Sequence, residues 1–367
     1  MMCGLFAVIN KKNQNVDDIK FNKSLKLMHS RGPDWTVFKK IKHNIYFGQN
    51  VLSMTGSNKK RINIFTSKSK RYFIIFNGEI YNYKNLKNLS GLTYSSPTDT
   101  EILVNLIEKF GLKKTIKLID GMFVFLIFDY INNSIHYARD PQGEKSLYKF
   151  EDTNNIIFSS EIISIKNYLG KIELVPSILE TYFYTRHFIQ TKNTIFKSIS
   201  IIPKGYLNKI NLSNFKISNI YKSENYDLVN YKMYYNLKKK NLDYHLNYLE
   251  KIITENLIEM LPNNRKFSSI VSGGIDSTLI SLFLKKISSP DIYLALNHLN
   301  NDKITNDLDL FQKYFDNKIQ VIDVEPADYI FYLNKIYESY LTPIHTHSFV
   351  GQYMVSLHSN QNGCKAL

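Results

Sequence analysis

The chain has only two cysteines, Cys3 and Cys364, and one of them is the third residue. Two thiols so far apart build neither a disulfide framework nor a zinc site. A cysteine exposed at the N-terminus has another use. It carries a thiol nucleophile and an α-amine on one residue, and the amine titrates at about 8, so it can act as general base without a histidine. Attack on a side-chain amide then needs donors for the oxygen that gains charge. Asn77 and the Gly78 N–H, just past a candidate strand, suit that role, and Glu79 and Asp99 offer carboxylates for a substrate ammonium. Each feature also has a plain reading: a small apolar residue, a hairpin turn at Asn77-Gly78, a first-turn acid at Asp99, and a turn at Arg31-Gly32-Pro33-Asp34.

A second group lies far along the chain, Ser272-Gly273-Gly274-Ile275-Asp276-Ser277, between a candidate strand and a candidate helix. The glycines let backbone approach closely, and successive N–H groups with a helix N-terminus form an anion nest. No Gly-Lys-Ser/Thr follows, so it is not a Walker A loop.

The elements that must position these residues follow from periodicity. Leu5–Ile9, Ile45–Met54, Tyr72–Phe76 and Met122–Phe128 are apolar or β-branched runs and predict strands. Thr98 with Glu101 three residues later starts a helix to Phe110 by a capping box. Residues 190–245 are less regular, with Pro203-Lys204-Gly205 and a polar stretch, and read as a link between domains. Beyond it the pattern predicts a helix over Asp243–Met260, a strand over Phe267–Val271, a helix over Ser277–Lys286, and strands at Ile292–Leu296 and Ile319–Val324. Strands alternating with helices argue a doubly wound parallel sheet. The expected division is residues 2–190, a link and start of the second domain at 191–242, and 243–367.

Bulk properties exclude some classes. With 367 residues, 44% of them apolar, the chain can build two cores and is not disordered. No run of about 18 apolar residues predicts a membrane span, and no signal peptide opens the chain. A cytoplasmic protein with no membrane partner is expected. The net charge of +15 suggests nucleic acid, but the lysines are spread among Asn, Ile and Tyr as a compositional bias. No nucleic-acid partner is therefore expected.

The combination of motifs resembles a known family. Cys3-Gly4, Arg31–Asp34, Asn77-Gly78-Glu79-Ile80-Tyr81-Asn82, Pro97-Thr98-Asp99-Thr100-Glu101, and Arg139-Asp140-Pro141-Gln142-Gly143-Glu144-Lys145-Ser146-Leu147-Tyr148 followed by Phe158-Ser159-Ser160-Glu161 are similar to the class II glutamine amidotransferase domain of asparagine synthetases. The resemblance implies an αββα sandwich of N-terminal nucleophile type, an α+β fold, followed by an incomplete α/β doubly wound domain. It implies Cys3 as nucleophile, Asn77 and Gly78 as oxyanion hole, and Leu52, Ser53, Met54, Asn77, Gly78, Glu79 and Asp99 around glutamine. The 272–277 loop resembles the PP-loop of ATP pyrophosphatases. By that resemblance Ser272, Gly273, Gly274, Asp276 and Ser277 hold ATP, with Asp276 on Mg²⁺ and Val271 and Leu296 beside the adenine. The implied reaction makes asparagine from aspartate through an aspartyl-adenylate, with ammonia from glutamine arriving through an internal tunnel; a homodimer is a possible assembly.

Three departures qualify the match. Val51 stands where the family has an Arg that clamps the glutamine carboxylate, and an apolar side chain cannot pair with a carboxylate; Arg31 is the nearest candidate replacement. Met1-Met2 precede Cys3, so a working start at Met2 is expected. The family continues beyond a strand like Gly363–Leu367 into an acidic Gly-rich loop, so a fragment of a longer enzyme is expected. Two alternatives stay open: a divergent amidotransferase for another carboxylate, for instance on a surface sugar, and a non-catalytic basic binding module on the same fold.

Overall fold

The computed structural model describes residues 3–55, 62–92, 98–188, 192–223, 236–262, 265–298, 308, 310–344, 346 and 348–367. Strand β1 (Gly4–Asn10) is buried along almost its whole length because both its faces are covered. Leu5, Ala7 and Ile9 enter one core, and Phe6 and Val8 enter another. That is the alternation a strand imposes when apolar layers lie on both sides.

Around β1 runs a six-stranded antiparallel sheet in the order β2-β3-β1-β8-β7-β9, with β2 at Trp35–Lys42, β3 at Ile45–Val51, β7 at Tyr148–Glu151, β8 at Asn155–Ser159 and β9 at Ile199–Ile201. A five-stranded sheet packs against it in the order β11-β10-β6-β5-β4, with β4 at Tyr72–Ile80, β5 at Gly121–Asp129, β6 at Ser134–Arg139, β10 at Tyr206–Asn211 and β11 at Ile217–Lys222. The inter-sheet core joins Leu5, Phe47 and Phe158 to Phe73, Leu126 and Ile135. Helices α1 (Asp18–Lys26) and α5 (Ile162–Leu169) cover the outer face of the first sheet through Phe21, Leu25, Ile162 and Ile165. Helices α2 (Tyr83–Ser90) and α3 (Asp99–Phe110) cover the second through Leu86, Ile102, Leu103 and Leu106. The result is an αββα sandwich, as expected. Two short helices, α4 (Leu112–Leu118) and α6 (Pro176–Thr185), complete this set.

The structure divides at a different place from the sequence reading. The first compact unit comprises residues 1–224 and 339–345, the second 225–338 and 346–367. The stretch 191–242 read as a link contains β9, β10 and β11, which pair with β7 and β6 to finish both sheets. Their short runs and polar outward positions hide them: β11 reads Ile-Ser-Asn-Ile-Tyr-Lys, mostly exposed. Strand β2 is hidden likewise, an edge strand carrying three lysines.

In the second unit, a parallel sheet has the order β12-β13-β14 (Ser268–Ile270, Ile292–His298, Ile319–Val324). The segment at Ala366 bridges in parallel to Phe267 on the other side of β12. Helices α7 (Leu242–Met260), α8 (Ile275–Ile287), α9 (Pro326–Tyr340) and α10 (Ser348–Gln361) accompany it. Among the described residues its core centres on Val271, Tyr293, Ala295 and Phe315. Among the described residues, no helix is long and apolar enough to cross a membrane.

Candidate active site

Cys3 lies immediately before β1 and is 9% exposed. Residues distant in sequence fix it. The Leu52 N–H donates to Cys3 Sγ at 3.3 Å. Arg31 Nε donates to the Cys3 carbonyl at 3.1 Å, while its Nη1 pairs with Glu161 at 2.9 Å. Ser160 Oγ accepts the Leu5 N–H at 3.0 Å. Arg31 and the 158–161 stretch therefore anchor the backbone at Cys3 and Leu5. Two glycines permit the close packing this requires: a Cβ on Gly4 would sit 2.8 Å from Met28 Cβ, and one on Gly32 would sit 2.4 Å from the Asn50 carbonyl. Asp34 ties the same loop to the exit of β3, accepting the Ser53 N–H at 2.9 Å.

The direction of the Gly78 N–H follows from strand geometry. Strand β4 is the edge of its sheet, so every second N–H points away from β5. Three of these find side chains: Tyr72 on Ser67 Oγ at 3.1 Å, Phe76 on Gln49 Oε1 at 2.8 Å, and Ile80 on Asp99 Oδ2 at 3.3 Å. The same period of two sends the Gly78 N–H outward, beside the pocket that Gly78 lines with Cys3. Only glycine fits there: at φ +155° a Cβ would lie 2.1 Å from the Met122 carbonyl oxygen. Asn77 is fully buried, yet among the described residues neither its Oδ1 nor its Nδ2 has a hydrogen-bond partner. A buried amide with both atoms unpaired is costly unless a bound group completes it.

The pocket brings together Cys3, Leu52, Ser53, Met54, Gly78 and Asp99, with Gln49, Thr55 and Thr98 beside them. Trp35, Val51, Ile64, Phe65 and Phe76 form an apolar wall. Asn77 and Glu79 do not line this pocket. Among its described lining residues there is no Arg or Lys; Arg31 holds Cys3 and Glu161 through Nε and Nη1, and its buried Nη2 has no hydrogen-bond partner among the described residues. Pro97, which opens one motif, lies outside the described residues, as do Met1 and Met2.

Electrostatically the site is short of positive charge. Asp99 accepts from Thr55 Oγ1 at 3.0 Å and the Thr100 N–H at 2.8 Å, but burial raises its pKa above the ordinary carboxylate value. Glu79 is pushed up to about 7 by burial and by Asp99, with Lys145 opposing. A carboxylate whose charge is disfavoured by burial and by a second carboxylate suits a site that receives a cation. Burial also raises the Cys3 thiol, opposed by hydrogen bonds from Leu52 and Gln49. The 139–148 motif is structural: Asp140 accepts N–H groups from Gly143, Glu144 and Lys145, while Arg139 donates to the carbonyls of Gly143, Lys145 and Ile202. Sequence reasoning missed Gln49, Thr55 and Trp35. A lone amide at an inward position of the apolar strand β3 was the available signal for Gln49.

In the second unit, the 272–277 loop follows the carboxyl end of β12 and opens α8. Gly273 has φ +79°, Ser277 Oγ holds the Ser272 N–H at 3.1 Å, and Gly274 caps the helix without a side-chain hydrogen bond. Ser272, Gly274 and Asp276 are exposed. The N–H groups of the first turn are thus open to an anion. Val271 is fully buried in the core, and Leu296 packs toward Gly351, where a Cβ would meet it at 2.8 Å. Among the described residues no cluster of three or more His, Cys, Asp or Glu could hold a metal ion.

Comparison with known proteins places these observations. A probable glutamine-hydrolysing asparagine synthetase of Acanthamoeba polyphaga mimivirus is 26% identical over 301 residues, covering 79% of this chain and 50% of that protein. The chicken (Gallus gallus) asparagine synthetase is 28% identical over 180 residues, 48% of this chain and 32% of the relative. A putative asparagine synthetase of Methanocaldococcus jannaschii is 29% identical over 202 residues, 50% and 39% respectively. The chain thus spans half or less of the length of these curated relatives. Glutamine PRPP amidotransferase from B. subtilis superposes with a TM-score of 0.46 at 13% identity, covering 88% of this chain and 81% of that one. The profile of the glutamine amidotransferase domain matches residues 2–222, more than half of the chain, and the protein belongs to that family.

Proposed function

We propose that the first unit hydrolyses glutamine through Cys3. The observation that carries this reading is the meeting, in one buried pocket, of Cys3, the outward-facing Gly78 N–H and Asp99. With Cys3 as the first residue, its α-amine takes the thiol proton and the sulfur adds to the amide carbon. The Gly78 N–H and Asn77 Nδ2 hold the oxygen's charge, a donor role typically worth about 10²–10³ in rate. Ammonia leaves with the amine's proton, and water then releases glutamate from the thioester. Asp99 and Glu79 hold the substrate α-ammonium. Glutamate release by the protein with Cys3 at its N-terminus tests this; a protein with a free Cys3 amine and no such activity rejects it.

The finer reading is that the ammonia amidates aspartate, activated as an aspartyl-adenylate, to give asparagine. What supports it is the likeness to asparagine synthetases together with the open N–H nest at 272–277. There ATP with Mg²⁺ would supply the activating group; Ser272, Gly273, Gly274 and Ser277 would cradle its pyrophosphate portion, with Asp276 toward the metal and Val271, by its backbone, and Leu296 toward the adenine. Product analysis with aspartate, glutamine and ATP, using the whole protein, tests the acceptor. Glutamate without asparagine would move the acceptor to another carboxylate.

A further inference from the structure

The Cys3 sulfur has a second neighbour that none of the recognised motifs contains. Gln49 lies on β3 directly across from Leu5, is 2% exposed, and lines the same pocket as Cys3. Its side chain crosses between the two sheets, where Oε1 accepts the Phe76 N–H at 2.8 Å. A backbone N–H can only donate, so this bond decides which end of the carboxamide is oxygen. That leaves the NH₂ end as the donor the carboxamide offers within the pocket it lines together with Cys3.

We propose that Gln49 is a positioning residue for the nucleophile: held by Phe76, its amide N–H joins the Leu52 N–H in a two-donor seat for the sulfur of Cys3 as a thiolate. The seat answers a specific difficulty. Cys3 is buried and Asp99 faces it, and both disfavour a negative sulfur, while Arg31 is the cation that opposes them. Hydrogen bonds to the ionised form counter burial. They need no second titrating group, which leaves the α-amine free to take the proton. The rigid hold also fixes the sulfur's direction of attack, because Leu5, Gln49 and Phe76 belong to paired strands of both sheets.

The catalytic consequence rests on the glutaminase reading, but the seat can be tested without substrate. The measurement is the pH dependence of Cys3 alkylation by iodoacetamide, with peptide mapping so that Cys364 is read separately. Gln49→Met removes the donor at similar volume and should raise the midpoint by about one pH unit, a tenfold slower reaction below it. Gln49→Glu keeps an acceptor for the Phe76 N–H and puts a carboxylate oxygen where the donor was, so its midpoint should rise further. Cys364 should be unmoved in both. If Gln49→Met does not melt cooperatively, Gln49→Glu decides. Folded variants that alkylate Cys3 on the wild-type profile overturn the seat, even with glutamate release intact. No glutamate release with a Gln49-dependent profile instead rejects the glutaminase reading and keeps the seat.

Discussion

The Cys3 pocket and the 272–277 loop both use backbone N–H groups where a strand ends, but they are built in opposite ways. The first draws on residues 3, 49, 52, 78 and 99, which only a completed sandwich brings together, and it is buried. The second uses six consecutive residues and is largely exposed. A buried site keeps water from charged intermediates and strengthens each hydrogen bond, at the cost of needing every supporting contact. A local nest needs only its own turn and the helix that follows. Damage to the first should therefore be large and chemical, and damage to the second small and confined.

The largest effect separates the two regions outright. Cys3→Ser should lower glutamate release by roughly 10³-fold or more, since a hydroxyl is a far weaker nucleophile at neutral pH. Asp276→Asn should leave that rate where it was. Glutaminase assays on both variants check this; equal losses would erase the distinction between the sites.

Asn77 gives the next effect. Neither of its amide atoms has a hydrogen-bond partner among the described residues, so its substitution breaks no such bond. Asn77→Ala should lower kcat by about 10²–10³ with little change in Tm. A large drop in Tm with kcat intact would instead make Asn77 a packing residue.

Glu79 sharpens the comparison through pH. Its folded-state pKa is about 7 against an ordinary value of 4.5, so the fold favours the protonated form. Its contribution to stability is present in full below about 4.5 and is lost as pH rises through about 7. Binding of an ammonium needs the carboxylate, so affinity should move the other way. KM for glutamine should fall several-fold between about pH 6 and pH 8, and Glu79→Gln should flatten that slope while weakening binding. Steady-state kinetics across this range, with melting curves at the same pH values, read both effects.

The contrast between the regions also explains what the sequence revealed. The nest at 272–277 is readable because its residues are contiguous, and the helix at Asp99–Phe110 because Thr98 Oγ1 accepts the Glu101 N–H at 3.1 Å, as the capping box requires. The long apolar strands β1, β3, β4 and β5 were legible for the same local reason. Strands β9–β11 were not, because three to six residues with exposed polar positions carry too little period, and their pairing with β6 and β7 is set by tertiary contact. In the pocket, Cys3, Gly78 and Asp99 stood out by motif. Gln49 and Thr55 did not, since a buried amide or hydroxyl shows its role only when its partners are placed. Arg31 was read as a spare cation; its bonds to the Cys3 carbonyl and to Glu161 became visible only in three dimensions.

The smallest effect probes the second unit alone. Gly273 has φ +79°, a left-handed conformation that a residue with a Cβ adopts at a cost of about 1 kcal/mol. Gly273→Ala should destabilise the second unit by about that amount. The first unit should not respond. Trp35, the single tryptophan, packs in that first unit against Phe65 at 5.7 Å between ring centroids, so its fluorescence follows the sandwich. Far-UV circular dichroism follows both units. In urea the variant should therefore shift the circular dichroism transition while the Trp35 transition stays fixed. If both move together, the units share one cooperative transition, and the independence of the buried pocket from the exposed loop is lost.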